Sequence, residues 1–175
     1  MNRNFVYPFT ALLVILIFFS LGGYAQTTPK GKWQFVLGAE TGLPTGRIKS
    51  YSNIELGATV SVQYGLSEHL ILTFTSGYYN FFAKKFEIPG FGTVKPDDIG
   101  IIPVKAGIKS FLGNNFYVAA EIGAGFETPG GPVKLILSPG IGYATNSWDV
   151  GLRYENFTES HLNYGMMTLR LAHGF

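Results

Sequence analysis

Apolar and less apolar residues alternate with period two along nearly all of the chain after Gly31. Successive side chains of a strand point to opposite faces, so this is the strand period. Eight runs carry it. Residues 32–43 set Trp33, Phe35, Leu37 and Ala39 against Gln34, Val36, Gly38 and Glu40, and Pro44-Thr45-Gly46 then breaks the pattern. Residues 54–64 set Leu56, Ala58, Val60, Val62 and Tyr64 against Glu55, Gly57, Thr59, Ser61 and Gln63. Residues 69–82 alternate and end in Tyr78, Tyr79, Phe81 and Phe82. Residues 99–112 set Ile102, Val104, Ala106 and Ile108 against Lys105, Gly107 and Lys109. Pro103 lies inside that run and predicts a bulge or an irregular start. Residues 116–127, 134–143 and 148–155 continue the series, and residues 164–175 end it on Met167, Leu169, Leu171 and Phe175, with His173 among them.

Connections complete the picture. Residues 65–68, 113–115 and 145–147 are tight turns. Longer connections follow the first, third, fifth and seventh runs. The longest is the irregular stretch 83–98, and 157–163 is a mostly polar link. No stretch of the mature chain shows a convincing helical period. Eight runs of about ten residues, with turns at one end and loops at the other, predict an all-β fold: an eight-stranded antiparallel up-and-down transmembrane β-barrel. An even strand number puts both termini at the tight-turn end.

Alternation alone also fits a lipocalin-like calyx, which turns its apolar set inward onto a small ligand. Gly31-Lys32-Trp33 matches the short Gly-x-Trp element of that fold. The less apolar set argues for the membrane barrel. It is built from glycine, threonine and serine (Gly38, Gly57, Gly107, Gly123, Gly140, Thr59, Thr75, Ser138) where a water-facing surface would carry lysine, glutamate and asparagine. Its charges are mixed in sign. Burial in a narrow lumen would force them into pairs, so Glu55, Lys105, Lys109, Glu121, Asp149, Arg153 and Arg170 are expected to form an internal charge network that plugs the barrel. Glu40, Glu127 and Glu155, nearer the run ends, are expected to touch water. Aromatics fall in two bands, as at the two interfaces of a spanning barrel. Trp33, Phe35, Tyr64, Phe116, Tyr143, Trp148 and Phe175 mark the turn end; Tyr78, Tyr79, Phe81, Phe82, Phe126, Tyr154, Phe157 and Tyr164 mark the loop end.

Composition agrees. Charged residues are 14% and aromatics 15%, with 23 glycines, in a chain of 175 residues. That is thin in charge for a fully solvated domain. The net charge of +2 and the lack of a Lys/Arg block exclude a nucleic-acid partner, and the absence of cysteine excludes disulfides, thiol catalysis and a lipoprotein anchor. The N-terminus reads as an export signal: Arg3, an apolar stretch over residues 11–19, then Gly23-Tyr24-Ala25 before a cleavage site. Residues 1–25 are therefore a cleaved signal peptide, and 26–175 form the barrel domain.

On these features the mature chain resembles small outer membrane β-barrel proteins of the OmpX/OmpA-barrel type, and the outer membrane beta-barrel domain proteins common in Bacteroidota. The resemblance implies a monomer in the outer membrane of a Gram-negative bacterium, in contact with lipid and lipopolysaccharide. It also implies that Met167, Leu169, Leu171 and Phe175 form the signal read by the barrel-assembly machinery. His173 departs from the apolar or aromatic residue usual at its position.

No catalytic, cofactor or metal residues are assigned. His69, His161 and His173 are scattered, which makes no metal site. Glu155, Glu159, Ser160 and His161 contain the residue types of a triad, and the segment loosely resembles the His-x-Ser-Asn element of outer membrane lipid A deacylases. Asn163 stands where that serine would be, however, and the adjacent Ser160 and His161 would face opposite sides of a strand. Asn156-Phe157-Thr158 fits an N-glycosylation pattern of little weight in a bacterial envelope protein. The expected function is non-enzymatic, structural or exerted through the outer loops. Chief among these is 83–98, whose Lys84, Lys85, Phe86, Phe91 and Lys95 would meet lipopolysaccharide phosphates or another surface partner. A periplasmic small-ligand binder and a lipid A-modifying enzyme are the alternatives.

Overall fold

Eight long strands hydrogen-bond side by side until the last meets the first. The computed structural model describes residues 28–88, 92–159 and 163–175. The proposed signal peptide therefore lies outside the described residues. The strands are β1 (Trp33–Gly46), β2 (Ser52–Gly65), β3 (Leu70–Ala83), β6 (Ile99–Phe111), β7 (Phe116–Thr128), β8 (Val133–Ala144), β9 (Trp148–Thr158) and β10 (Asn163–Gly174). A separate hairpin of β4 (Phe86–Ile88) and β5 (Gly92–Val94) stands between β3 and β6. Every ladder is antiparallel, and β1 closes on β10 from Val36 opposite Gly174 to Gly46 opposite Tyr164. The barrel is a closed up-and-down meander.

Several boundaries differ from the sequence expectation. Pro44-Thr45-Gly46 does not end β1: Pro44 stays in register with Met166, and Gly46 with Tyr164. The partner strand carries the proline through, since the ladder to β2 has already stopped at Gly42. The link 157–163 is shorter than expected, because β9 runs to Thr158 and β10 starts at Asn163. The irregular stretch 83–98 holds the β4–β5 hairpin, whose three-residue strands are too short to show a period. Pro103 produces no bulge. The β3–β6 ladder is interrupted beside it and resumes in the same register, from Ser76 opposite Val104 to Tyr79 opposite Ile101. The one register shift in the β2–β3 ladder falls between Ser52 and Ile54. The alternation of loop lengths is also weaker than expected. The connections 47–51, 129–132 and 159–162 are nearly as short as the turns, and 84–98 alone is long. The first of these holds a 3-10 turn, Arg47–Ser50.

The two faces are chemically distinct. Val60, Ile122 and Leu152 point outward, 46%, 55% and 43% exposed. Leu37, Leu56, Leu72, Phe74, Ile108, Leu137, Ile141, Leu169 and Leu171 join them on a continuous apolar belt. A soluble protein rarely shows apolar patches beyond a few hundred Å², whereas a lipid-facing barrel requires such a belt. The apolar set therefore faces away from the lumen, which rules out the calyx arrangement. At the turn end the belt finishes in cross-strand ring pairs. Trp33 meets Tyr64 at 4.6 Å, Phe116 meets Tyr143 at 5.1 Å, and Trp148 meets His173 at 4.8 Å between centroids. His173 also lies 4.7 Å from the Phe175 ring, so it fills an aromatic position of the girdle.

Candidate functional site

The lumen is filled from end to end in three tiers, and strand alternation decides which residues enter it. At the turn end Ile71, Phe111, Tyr117 and Ala144 form an apolar plug. At the loop end Ile48, Tyr79, Phe81, Ile101, Ile136, Phe157, Tyr164 and Met166 form a larger one. Phe157 and Tyr164 stack at 5.0 Å, and Phe81 packs edge-on against both. Tyr79, Phe81, Phe157 and Tyr164 thus point inward and are not members of the outer girdle. A run of adjacent aromatics must split between the faces, so Tyr78 and Phe82 go to lipid and Tyr79 and Phe81 to the lumen.

Between the plugs lies a belt of buried charge. Glu121 on β7 is its hub: it accepts from Arg153 at 2.9 Å, from Thr73 at 3.0 Å and from Thr75 at 2.9 Å, and Lys105 stands 3.5 Å away. The Lys105 ammonium also pairs with Glu155, which accepts from Ser138 at 3.0 Å. Arg170 Nε lies 3.1 Å from Glu40, and its Nη1 lies 3.5 Å from Asp149. Lys109 donates to Asp149 at 2.6 Å, and the Tyr117 hydroxyl donates to the other oxygen of that carboxylate at 2.6 Å. Tyr79 donates to Glu40 at 3.2 Å, linking the upper plug to the belt. These groups are almost wholly inaccessible. Pairing of this kind is what a buried charge requires.

Of the residues singled out from the sequence, Lys105, Lys109, Glu121, Asp149, Arg153 and Arg170 come together in this belt. Glu55 shares the lumen but stands apart: both its oxygens are buried and neither accepts a hydrogen bond. Glu40 and Glu155 were expected to touch water and are instead buried members of the belt. β9 extends past Glu155, and β1 extends past Glu40, which moves both carboxylates well inside the strands. The sequence reading also missed Lys134, buried between Glu127 at 2.7 Å and Glu159 at 2.9 Å on the loop side. The inward parity of Lys134 with Ile136 and Ser138 was a signal for it. Met167, Leu169 and Leu171 face outward on β10, and the Phe175 amide donates to Phe35 at 2.8 Å.

Free space is scarce. A cavity of about 10 Å³ at the turn end, lined by Gln34, Gln63, Lys109, Asp149 and neighbours, has room for about one water. No group of His, Asp and Glu among the described residues is placed to hold a metal ion. Ser160 and His161 lie outside the described residues. The carboxylates near them in sequence are engaged elsewhere, Glu155 in the belt and Glu159 on Lys134.

The loop-end rim is polarised around the barrel. Arg47 and Lys49 flank Ile48, which is anchored in the upper plug. Both cations are exposed. The Lys84 ammonium donates to the Lys49 carbonyl, and the Lys84 amide donates to the Tyr51 carbonyl at 2.7 Å. These bonds bring the hairpin base against the 3-10 turn. Asp98 closes the other side of that base, accepting from the Ala83 amide at 3.0 Å and pairing with Lys95 at 3.3 Å. The Ala83 hydrogen bond, helped by Lys95 and Asn80, holds the Asp98 carboxyl below the usual carboxylate range.

No protein-family model and no curated protein matches the sequence. Solved structures do match the fold. The crystal structure of Ail, the attachment invasion locus protein of Yersinia pestis, aligns with TM-score 0.59 and 13% identity, covering 83% of this chain and 99% of that one. Neisserial surface protein A aligns with TM-score 0.53 and 15% identity over 82% of this chain and 97% of that one. The N-terminal β-barrel domain of Pseudomonas aeruginosa OprF gives 0.52 and 10% over 81% and 97%. The fold is that of the small eight-stranded outer membrane barrels.

Proposed function

We propose that this protein is a monomeric, non-enzymatic resident of a Gram-negative outer membrane. It is exported through a cleaved signal peptide and acts through its loop-end surface. One observation carries the reading: the outward face is an unbroken apolar belt while the lumen is filled by two apolar plugs and a paired charge belt. Such a barrel belongs in lipid and leaves no channel and no ligand chamber, because eight strands enclose little more than their own side chains. What remains available to partners is the rim. On this reading the belt is the plug that keeps the lumen shut. Met167, Leu169, Leu171 and Phe175 are the strand presented to the barrel-assembly machinery.

Cell fractionation combined with heat-modifiable gel mobility tests the proposal. The expected result is recovery with outer membranes, and a folded band that shifts on boiling. Recovery in the soluble periplasm would overturn it. In planar bilayers the purified barrel is expected to show no steady open-pore conductance.

A further inference from the structure

We infer that the loop-end rim above β1, β2 and β3 is a docking platform for the phosphates of a phosphorylated lipid headgroup. The inference deepens the outer-membrane reading and rests on it. Arg47, Lys49, Lys84 and Lys85 come from two connections that are neighbours on the closed barrel, 47–51 and 84–98. None of the four forms a salt bridge with a carboxylate among the described residues, whereas Lys95 is matched by Asp98 and Lys134 by Glu127 and Glu159. Positive charge is therefore in excess over one side of the barrel, and the opposite side, over β7 to β9, is neutralised by its own carboxylates. Two carboxylates without a salt bridge among the described residues share the platform's connections and offset part of that excess: Glu87, out on β4, and Asp97, whose main-chain carbonyl accepts from Tyr51.

The platform is held in place from below. Ile48 is seated in the plug, Tyr51 packs on the same cluster, and the Tyr51 hydroxyl donates to the Asp97 carbonyl. Lys84 is tied to the turn through both its amide and its ammonium. A tied backbone has less ordering entropy left to lose on binding. The height of the platform selects its occupant. Leu43, Ile54 and Phe82 are the last outward apolar residues of their strands on this side. Arg47 follows Leu43 by four positions and Lys84 follows Phe82 by two. At about 3.3 Å per residue along a tilted strand, the cations stand roughly 5–10 Å above the apolar belt, at the level of headgroup phosphates. A soluble polyanion would need no such height. Guanidinium and ammonium groups side by side suit a headgroup with more than one phosphate.

The test uses the folded full barrel in mild detergent, titrated with fluorescent lipid A carrying both phosphates. The comparison is with a triple variant, R47Q/K49Q/K85Q, that keeps the Lys84 tie. A second triple variant, R47K/K49R/K85R, retains every charge. About fivefold per surface cation predicts a loss on the order of 100-fold in the Gln variant, with affinity close to the native value in the charge-retaining one. Raised salt is expected to weaken the native protein and leave the Gln variant nearly unchanged. Unchanged heat-modifiable mobility shows that the variants fold. Equal binding by native and Gln proteins would overturn the platform. So would equal binding of lipid A stripped of phosphate. Displacement of the lipid by soluble inorganic polyphosphate at equal phosphate concentration would overturn the assignment to a lipid source. None of these outcomes bears on membrane location, which fractionation decides separately.

Discussion

At the scale of single residues, the belt is held by matched pairs, so its members are unequal to their neutral replacements. Lys105 faces both Glu121 and Glu155. Lys105→Met leaves two buried carboxylates short of a cation and is expected to cost about 3–5 kcal/mol, read from urea unfolding in detergent. Charge reversal at Glu121 is expected to be at least as severe, and unchanged stability there would refute the plug. A second residue-scale dependence is steric. The Tyr117 hydroxyl reaches Asp149 by lying across Gly142, where an added Cβ would overlap the phenol ring. Gly142→Val is therefore expected to destabilise by about 1–3 kcal/mol, and less when Tyr117 is also truncated to Ala. A third is electrostatic. The depressed Asp98 carboxyl ties the hairpin base to Ala83. A depressed group adds stability above its unfolded pKa of about 3.9, and that contribution is lost as pH falls through the lower folded value. Protection of the Ala83 amide, measured against its intrinsic exchange rate at each pH, is expected to fall as pH is lowered through that range. In Asp98→Asn that acid-dependent step is expected to vanish.

At the scale of elements, each strand is a two-sided object whose faces obey different solvents. Ile122 sits midway along β7 on the lipid side. Ile122→Arg is expected to cost about 2–4 kcal/mol in vesicles, while the same change at Leu66, in the turn after β2, is expected to cost far less. The strands and their faces were legible because period two is a local signal. Glycine, threonine and serine on the inner side carried the choice between calyx and membrane barrel. Strand ends were less legible, for the reason visible at Pro44: a neighbour distant in sequence, β10, keeps it in the ladder. The same reason hid Glu40 and Glu155 in the belt. The belt's pairings were not legible either. Arg170 takes Glu40 and Asp149, a choice made by side-chain reach across the lumen. The inward aromatics were misassigned because clustering at a run end gives height but not face.

At the scale of the whole molecule, the barrel is sealed differently at its two ends. The loop-end plug is larger and aromatic, and the turn-end plug is smaller, with a water-sized space beside Lys109 and Asp149. The charge belt therefore comes nearest to solvent at the turn end, where Lys109 and Asp149 line that space. The rims differ too: cross-strand ring pairs finish the turn end, and the loop end carries the tied cluster of Arg47, Lys49, Lys84 and Lys85. Sealing a lumen and displaying a surface are thus assigned to separate parts of the same small fold. The first is a matter of inner parity, the second of two connections tied to each other.

The seam between β1 and β10 also sets a clock. It joins Val36 to Gly174 and Glu40 to Arg170, so no ring exists until the last strand has arrived at the first. Contacts this remote along the chain make for slow folding. Until they form, β1 and β10 both present open edges, and an open edge invites pairing with another chain. The interval before closure is therefore the period in which this protein is most exposed to aggregation, and any partner that covered those two edges would be needed for that interval alone.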